Sequence, residues 1–166
     1  MIGWVVACSV VQAPDEASSV FQSQPSGAVQ APGRYARLDV AIIRYSQAGY
    51  SFEGTGDDGT VNTIAGNVQW LKDHPDQDLP WYAPIRVFVK QPFMDEWGRL
   101  SNHGFTGDPK NLENGQIYTL DHRRLVAYQQ AARKTIPVEW ADLSVVREDR
   151  WKFTTLNKGI SIAPNP

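Results

Sequence analysis

Two stretches of this chain repeat apolar residues at helical spacing, and each stands between short β-branched runs. The first, residues 61–72 (VNTIAGNVQWLK), sets Val61, Ile64, Ala65, Val68 and Leu71 on one helical face. Gly66 weakens that helix by about 1 kcal/mol against alanine. The second follows Asp121, placed as a helix N-cap, with Leu125, Tyr128, Gln129 and Ala132 marking its face. Strands are read at 39–45 (DVAIIRY), 85–89 (IRVFV), 116–120 (QIYTL) and 135–140 (TIPVEW), with edge strands at 151–153 and 160–162. The order strand, helix, strand, strand, helix, strand predicts a mixed α+β domain: a small mixed sheet with helices packed on it.

A chain of 166 residues with 42% hydrophobic and 11% aromatic content can bury one core, which excludes wholesale disorder. Sixteen basic against eighteen acidic residues give a net charge of -2, which excludes a protein coated with nucleic acid but allows a local basic cleft. One cysteine, Cys8, excludes an internal disulfide framework and a cysteine-based zinc site. With three histidines, His74, His103 and His122, any metal site needs carboxylates. No run approaches the ~20 apolar residues of a membrane span. The start, MIGWVVACSVV, carries no basic residue ahead of its apolar run, so it reads as an apolar strand or a domain-boundary remnant rather than a signal peptide. Residues 12–34 are rich in Pro, Gln, Ser, Ala and Gly, so 1–34 read as an arm or linker and 35–166 as the domain. Residues 46–60 read as a loop, and 91–115 as a long polar insertion without structure of its own.

The segment Leu120-Asp121-His122-Arg123-Arg124-Leu125 carries the chemistry. A helix start already presents unpaired N–H groups and about half a positive charge, so three basic side chains there oppose the dipole. Two arrangements explain them. An anion such as a phosphate docks on the turn, or Arg123 or Arg124 pairs with a buried acid.

Residues 114–140, NGQIYTLDHRRLVAYQQAARKTIPVEW, resemble the end of the core of the ParB and sulfiredoxin-like superfamily. In that superfamily a strand, a Gly-x-Arg-Arg or Gly-Cys-His-Arg turn, a helix and an "ipV" strand follow one another. Ile43-Arg44-Tyr45-Ser46-Gln47 resembles the first family box, residues 60–73 the intervening helix, and Pro84-Ile85-Arg86-Val87 the "PI-V" strand. The turn itself is most similar to a Leu-Asp-x-Arg-Arg-Leu subgroup found as carboxy-terminal domains of bacterial polymorphic toxins and secreted effectors. The turn holds no cysteine, so sulfinic acid reduction is not expected. Asp121 stands where a nucleotide-binding partition protein has Gly, and the later Glu-Asn-x-Gln-Arg box is missing, so a partition clamp is not expected either.

The resemblance implies a toxin domain that cleaves nucleic acid, DNA first, with a divalent cation, Mg²⁺ or Mn²⁺. It also implies a cognate neutralising partner, and delivery into a target-cell cytoplasm. Arg123 and Arg124 are candidates to hold a phosphate. His122 is a candidate general acid or base because an unperturbed histidine titrates near working pH. Asp121 is a candidate to bind the cation or position a water, beside its plainer reading as an N-cap. Arg44, Ser46, Gln47 and Arg86 are candidate phosphate contacts, and Asp57-Asp58 a candidate cation pair. In the insertion, His103 with Asp95, Glu96 and Asp108 reads as a solvated loop or a lid. Trp70, Trp81, Trp97, Trp140 and Trp151 are candidates to stack on bases; of these Trp70 and Trp140 read as core, and Trp97 is the better stacking candidate. Two further readings stand: a cleft that binds ATP or another nucleotide for phosphoryl transfer or hydrolysis, with no Gly-rich loop, and a non-catalytic anion-binding module.

Overall fold

The run expected as one strand over 39–45 is broken at Val40. The structure is a computed structural model and describes residues 34–51, 53–55 and 61–164. Tyr35–Asp39 forms β1, a 3-10 turn takes Val40–Ile42, and Ile43–Tyr45 forms β2. Asp39 makes the break: its carboxylate accepts the Ala41 amide at 2.8 Å. Ile85–Val89 (β3), Ile117–Thr119 (β4) and Thr135–Trp140 (β5) follow where the sequence places them.

The five strands form one mixed sheet in the order β1-β5-β3-β4-β2. β1 runs antiparallel to β5, β5 parallel to β3, β3 antiparallel to β4, and β4 parallel to β2. Consecutive strands β1 and β2 thus lie on opposite edges. Between Asp39 and Ile43 the chain reaches at most about 14 Å, whereas the edges of a flat sheet of this width stand about 19 Å apart. The sheet is therefore curled, and the turn at Val40–Ile42 bridges its edges.

Both faces of the sheet are covered. Alternation along β3 sends Ile85 and Val87 to one face and Phe88 to the other. On the first face pack helix α1, Ile64–Asp73, and helix α2, His122–Gln130, through Ile64, Leu71, Leu125 and Val126. Trp70 and Trp140 pack against this core, as expected. On the second face Phe88 stacks on Phe153 and Tyr118, with Met94, Leu112 and Val146 around them; Val146 comes from helix α3, Leu143–Glu148.

The first helix starts later than its periodicity suggests. Val61–Thr63 pairs as a strand with Glu53–Thr55, and the Thr63 hydroxyl accepts the Gly66 amide at 3.0 Å to open α1. The segment 46–60 is therefore not all loop: Gly49–Tyr50 also forms a short strand, paired with Ala163–Pro164. The edge strand expected at 151–153 is instead part of a 3-10 turn, Asp149–Lys152, closed by a Lys152 Nζ–Asp149 bond of 2.9 Å, and 160–162 precedes rather than forms the last strand.

The insertion is structured. Pro92–Trp97 and Pro109–Asn111 form 3-10 turns around a hairpin of Leu100–Asn102 and Phe105–Gly107. It is anchored by Lys90, whose fully buried ammonium donates to Gln91 O, Asp95 Oδ1 and Asn114 Oδ1 at 2.8–3.0 Å. At Gly107 a Cβ would collide with the backbone of Arg150 and Trp151, so glycine lets the hairpin close on the 149–152 turn. Among the described residues no helix is long and apolar enough to cross a membrane.

Candidate functional site

A cleft of about 610 Å³ opens at the amino-terminal end of α2. Its floor is Leu120, Asp121, His122, Arg123 and Arg124. One wall is the connection after α1, with Trp81 and Tyr82, and the other carries Phe105 and Trp151. The first wall is pinned from below: Arg133 donates to the carbonyls of Leu71, His74 and Gln77, and Arg124 to those of Ala83 and Pro84. Arg124 also lies over the Tyr82 ring, 5.4 Å from its centroid.

Asp121 occupies the N-cap position without capping the helix. Its carboxylate instead accepts from the Arg86 backbone amide at 2.7 Å and the Arg86 guanidinium at 3.0 and 3.2 Å, and pairs with Arg124 at 2.8 Å. Burial pushes this carboxyl up, but the Arg124 charge and the Arg86 bonds outweigh burial and hold it at about 2. The expected N-cap bond is thus replaced by an ion-pair bridge to β3. Asp121 leaves the first turn of α2 without an N-cap side-chain bond, and His122, Arg123 and Arg124 of that turn line the cleft.

His122 is buried behind this turn. Its Nε2 is 2.9 Å from Ser46 Oγ, whose hydroxyl donates to Thr119 O at 2.9 Å. Burial and the Lys152 charge outweigh the pull of Asp121 and the Thr119 carbonyl, and push the imidazole down to about 3. Desolvation thus favours the neutral imidazole and moves His122 away from the near-neutral titration of an exposed histidine.

Arg86, Arg123, Arg124 and Lys152 are the cations lining the cleft. Asp121 and Asp149 take up Arg86, Arg124 and Lys152. Among the described residues Arg123 has no acidic partner. Of the two sequence explanations of the basic turn, pairing with a buried acid therefore holds for Arg124 but not for Arg123.

Gln47 and Arg86 line the cleft, and Ser46 lies fully buried against His122. Arg44 does not join them. It points to the far side of β2, where it pairs with Glu113 at 2.6 Å and reaches Lys158 O. Asp57 and Asp58 lie outside the described residues, as do residues 1–33. No group of three or more His, Cys, Asp or Glu side chains is placed to hold a metal among the described residues. Asp121, engaged by two arginines, does not fit a cation ligand. The acids of the insertion do not gather with His103, because Asp95 pairs with Lys90 and Asp108 with Arg99, whereas His103 packs on Trp151. Trp97 packs against the second core and Phe93 rather than the cleft.

Trp81 and Trp151, two of the five indoles that the sequence offers as base-stacking candidates, line the cleft, although Trp97 is the better candidate by sequence. Sequence reasoning missed Asn67. It had a signal, because it falls between Ile64 and Leu71 at core spacing, on the buried face of α1. No protein-family model, curated protein or solved structure matches this chain.

Proposed function

We propose that this chain is a nucleic-acid-cleaving domain of the bacterial toxin type, which takes one nucleotide unit into the cleft with its phosphate at the start of α2. The observation that carries the reading is Arg123: a cation without an acidic partner among the described residues, beside uncapped helix N–H groups, between aromatic walls. A planar base suits the walls and a phosphate suits the turn. Charge growing on the phosphate in the transition state is met by Arg123 and the first-turn amides, already in place. The neutral His122 adds no competing charge and fixes the turn through Ser46. Asp121 serves as the bridge that orients Arg86 and Arg124 rather than as a metal ligand. A requirement for Mg²⁺ or Mn²⁺ rests in this reading on the Asp57-Asp58 pair. The ParB and sulfiredoxin-like resemblance supports the toxin setting, with a cognate neutralising protein over the cleft and action in a target-cell cytoplasm after delivery.

Cleft size favours a second reading. About 610 Å³ is the volume of a small-molecule site. ATP or another free nucleotide would occupy it as completely as a nucleotide unit of a strand, for phosphoryl transfer or hydrolysis.

The test is incubation of supercoiled plasmid and single-stranded oligonucleotides with the protein in Mg²⁺, Mn²⁺ or EDTA, beside Arg123→Ala. Cleavage lost in the variant supports the nuclease. Intact nucleic acid with ATP turnover supports the second reading, and tight binding with no turnover a non-catalytic module. A folded Arg123→Ala protein of full activity overturns the site.

A further inference from the structure

Asn67 is a polar residue of the cleft that the phosphate seat does not use. It lies in the middle of α1, is 5% exposed, and lines the cleft beside Ile64 and Trp81. Its Oδ1 accepts the Trp81 indole N–H at 3.2 Å. An indole nitrogen only donates, so this bond fixes the amide: oxygen toward Trp81, Nδ2 on the remaining side. Among the described residues Nδ2 has no hydrogen-bond partner. The side chain lines the cleft, so this free donor is open to an acceptor on a ligand held there.

The part of the ligand that meets Asn67 is set by its neighbours. Trp81 and Ile64 offer flat and apolar surface, which suits a ring rather than a phosphate. With Oδ1 committed to Trp81, Asn67 can give a hydrogen bond but not take one. We propose that Asn67 reads the base of the bound nucleotide, its Nδ2 donating to O4 of uracil or thymine or O6 of guanine, the positions that carry an amino group in cytosine and adenine, so that the cleft prefers uracil, thymine and guanine over cytosine and adenine. An exocyclic amino group at the same place would set donor against donor. The inference rests on the nucleotide reading of the cleft and adds the base class to it.

The experiment is calorimetric titration of the full chain with UMP, CMP, GMP and AMP at one fixed salt concentration. The expected result is UMP over CMP, and GMP over AMP, by roughly fivefold to tenfold, the worth of one hydrogen bond. Asn67→Asp keeps an oxygen for Trp81 and replaces the donor by an acceptor, so it weakens all four and abolishes or reverses both ratios. Arg123→Ala weakens all four in parallel and keeps the ratios. Equal affinity for the four nucleotides, still dependent on Arg123, overturns the role of Asn67 and leaves the nucleotide reading standing. Absence of binding by every nucleotide overturns both. The wild-type ratios decide the matter even where Asn67→Asp fails to fold.

Discussion

The Asp121 carboxylate and Arg86 are joined three times, through the Arg86 backbone amide at 2.7 Å and its guanidinium at 3.0 and 3.2 Å. This bridge ties the first turn of α2 to the middle of the sheet. It also withdraws the carboxylate from the helix terminus, where it would have filled the place of an anionic ligand. The same acid that builds the site therefore keeps it open.

Asp121→Asn should act on stability first. It leaves Arg86 and Arg124 facing a neutral amide and should cost about 2–3 kcal/mol, less than a fully buried pair because Arg86 stays partly solvated. Urea unfolding reads this directly. An unchanged midpoint with abolished activity would instead make Asp121 a catalytic group.

The strands at β3 and β5 and the turn at 121–124 were legible because each is a local pattern of apolar alternation or charge. The pairings were not. Arg86 meets Asp121 across a sheet order that no local pattern encodes. Arg123 and Arg124, identical in type and both lining the cleft, diverge because adjacent helical residues point about 100° apart, so that Arg124 reaches Asp121 and Arg123 does not. The strand at 39–45 was read whole because β-branched content does not register a jump from one sheet edge to the other.

His122 should make stability depend on acid. Its folded pKa of about 3 lies below the value of 6.5 for an exposed histidine, so the unfolded chain binds a proton that the folded chain refuses. The contribution is complete above pH 6.5 and falls as pH drops toward 3, by up to about 1.4 kcal/mol per unit. Asp121 adds its own loss only below the ordinary aspartate value of 3.8. Between pH 6.5 and 4.5, unfolding free energies of wild type should therefore decline, and those of His122→Gln should decline less. Parallel profiles for the two proteins would refute the buried neutral imidazole.

Helix α2 ends on an alanine in left-handed backbone. Ala132 has φ 56°, and its amide bonds Gln129 O at 3.0 Å, while Arg133 N bonds Tyr128 O at 3.0 Å. Glycine takes that conformation without a Cβ penalty. Ala132→Gly should stabilise the protein by about 0.5–1 kcal/mol, raising the thermal midpoint by roughly 1–3 °C. A lower midpoint would contradict the cap geometry.

The most direct test of the phosphate seat is the affinity of a short single-stranded oligonucleotide for wild type, Arg123→Ala and Arg44→Ala. Arg44 carries the same charge but stands outside the cleft, paired with Glu113. The account predicts a loss of about tenfold or more for Arg123→Ala, the worth of a hydrogen bond to a charged group, and a change within about twofold for Arg44→Ala. Equal losses in the two variants, or none in Arg123→Ala, would contradict it.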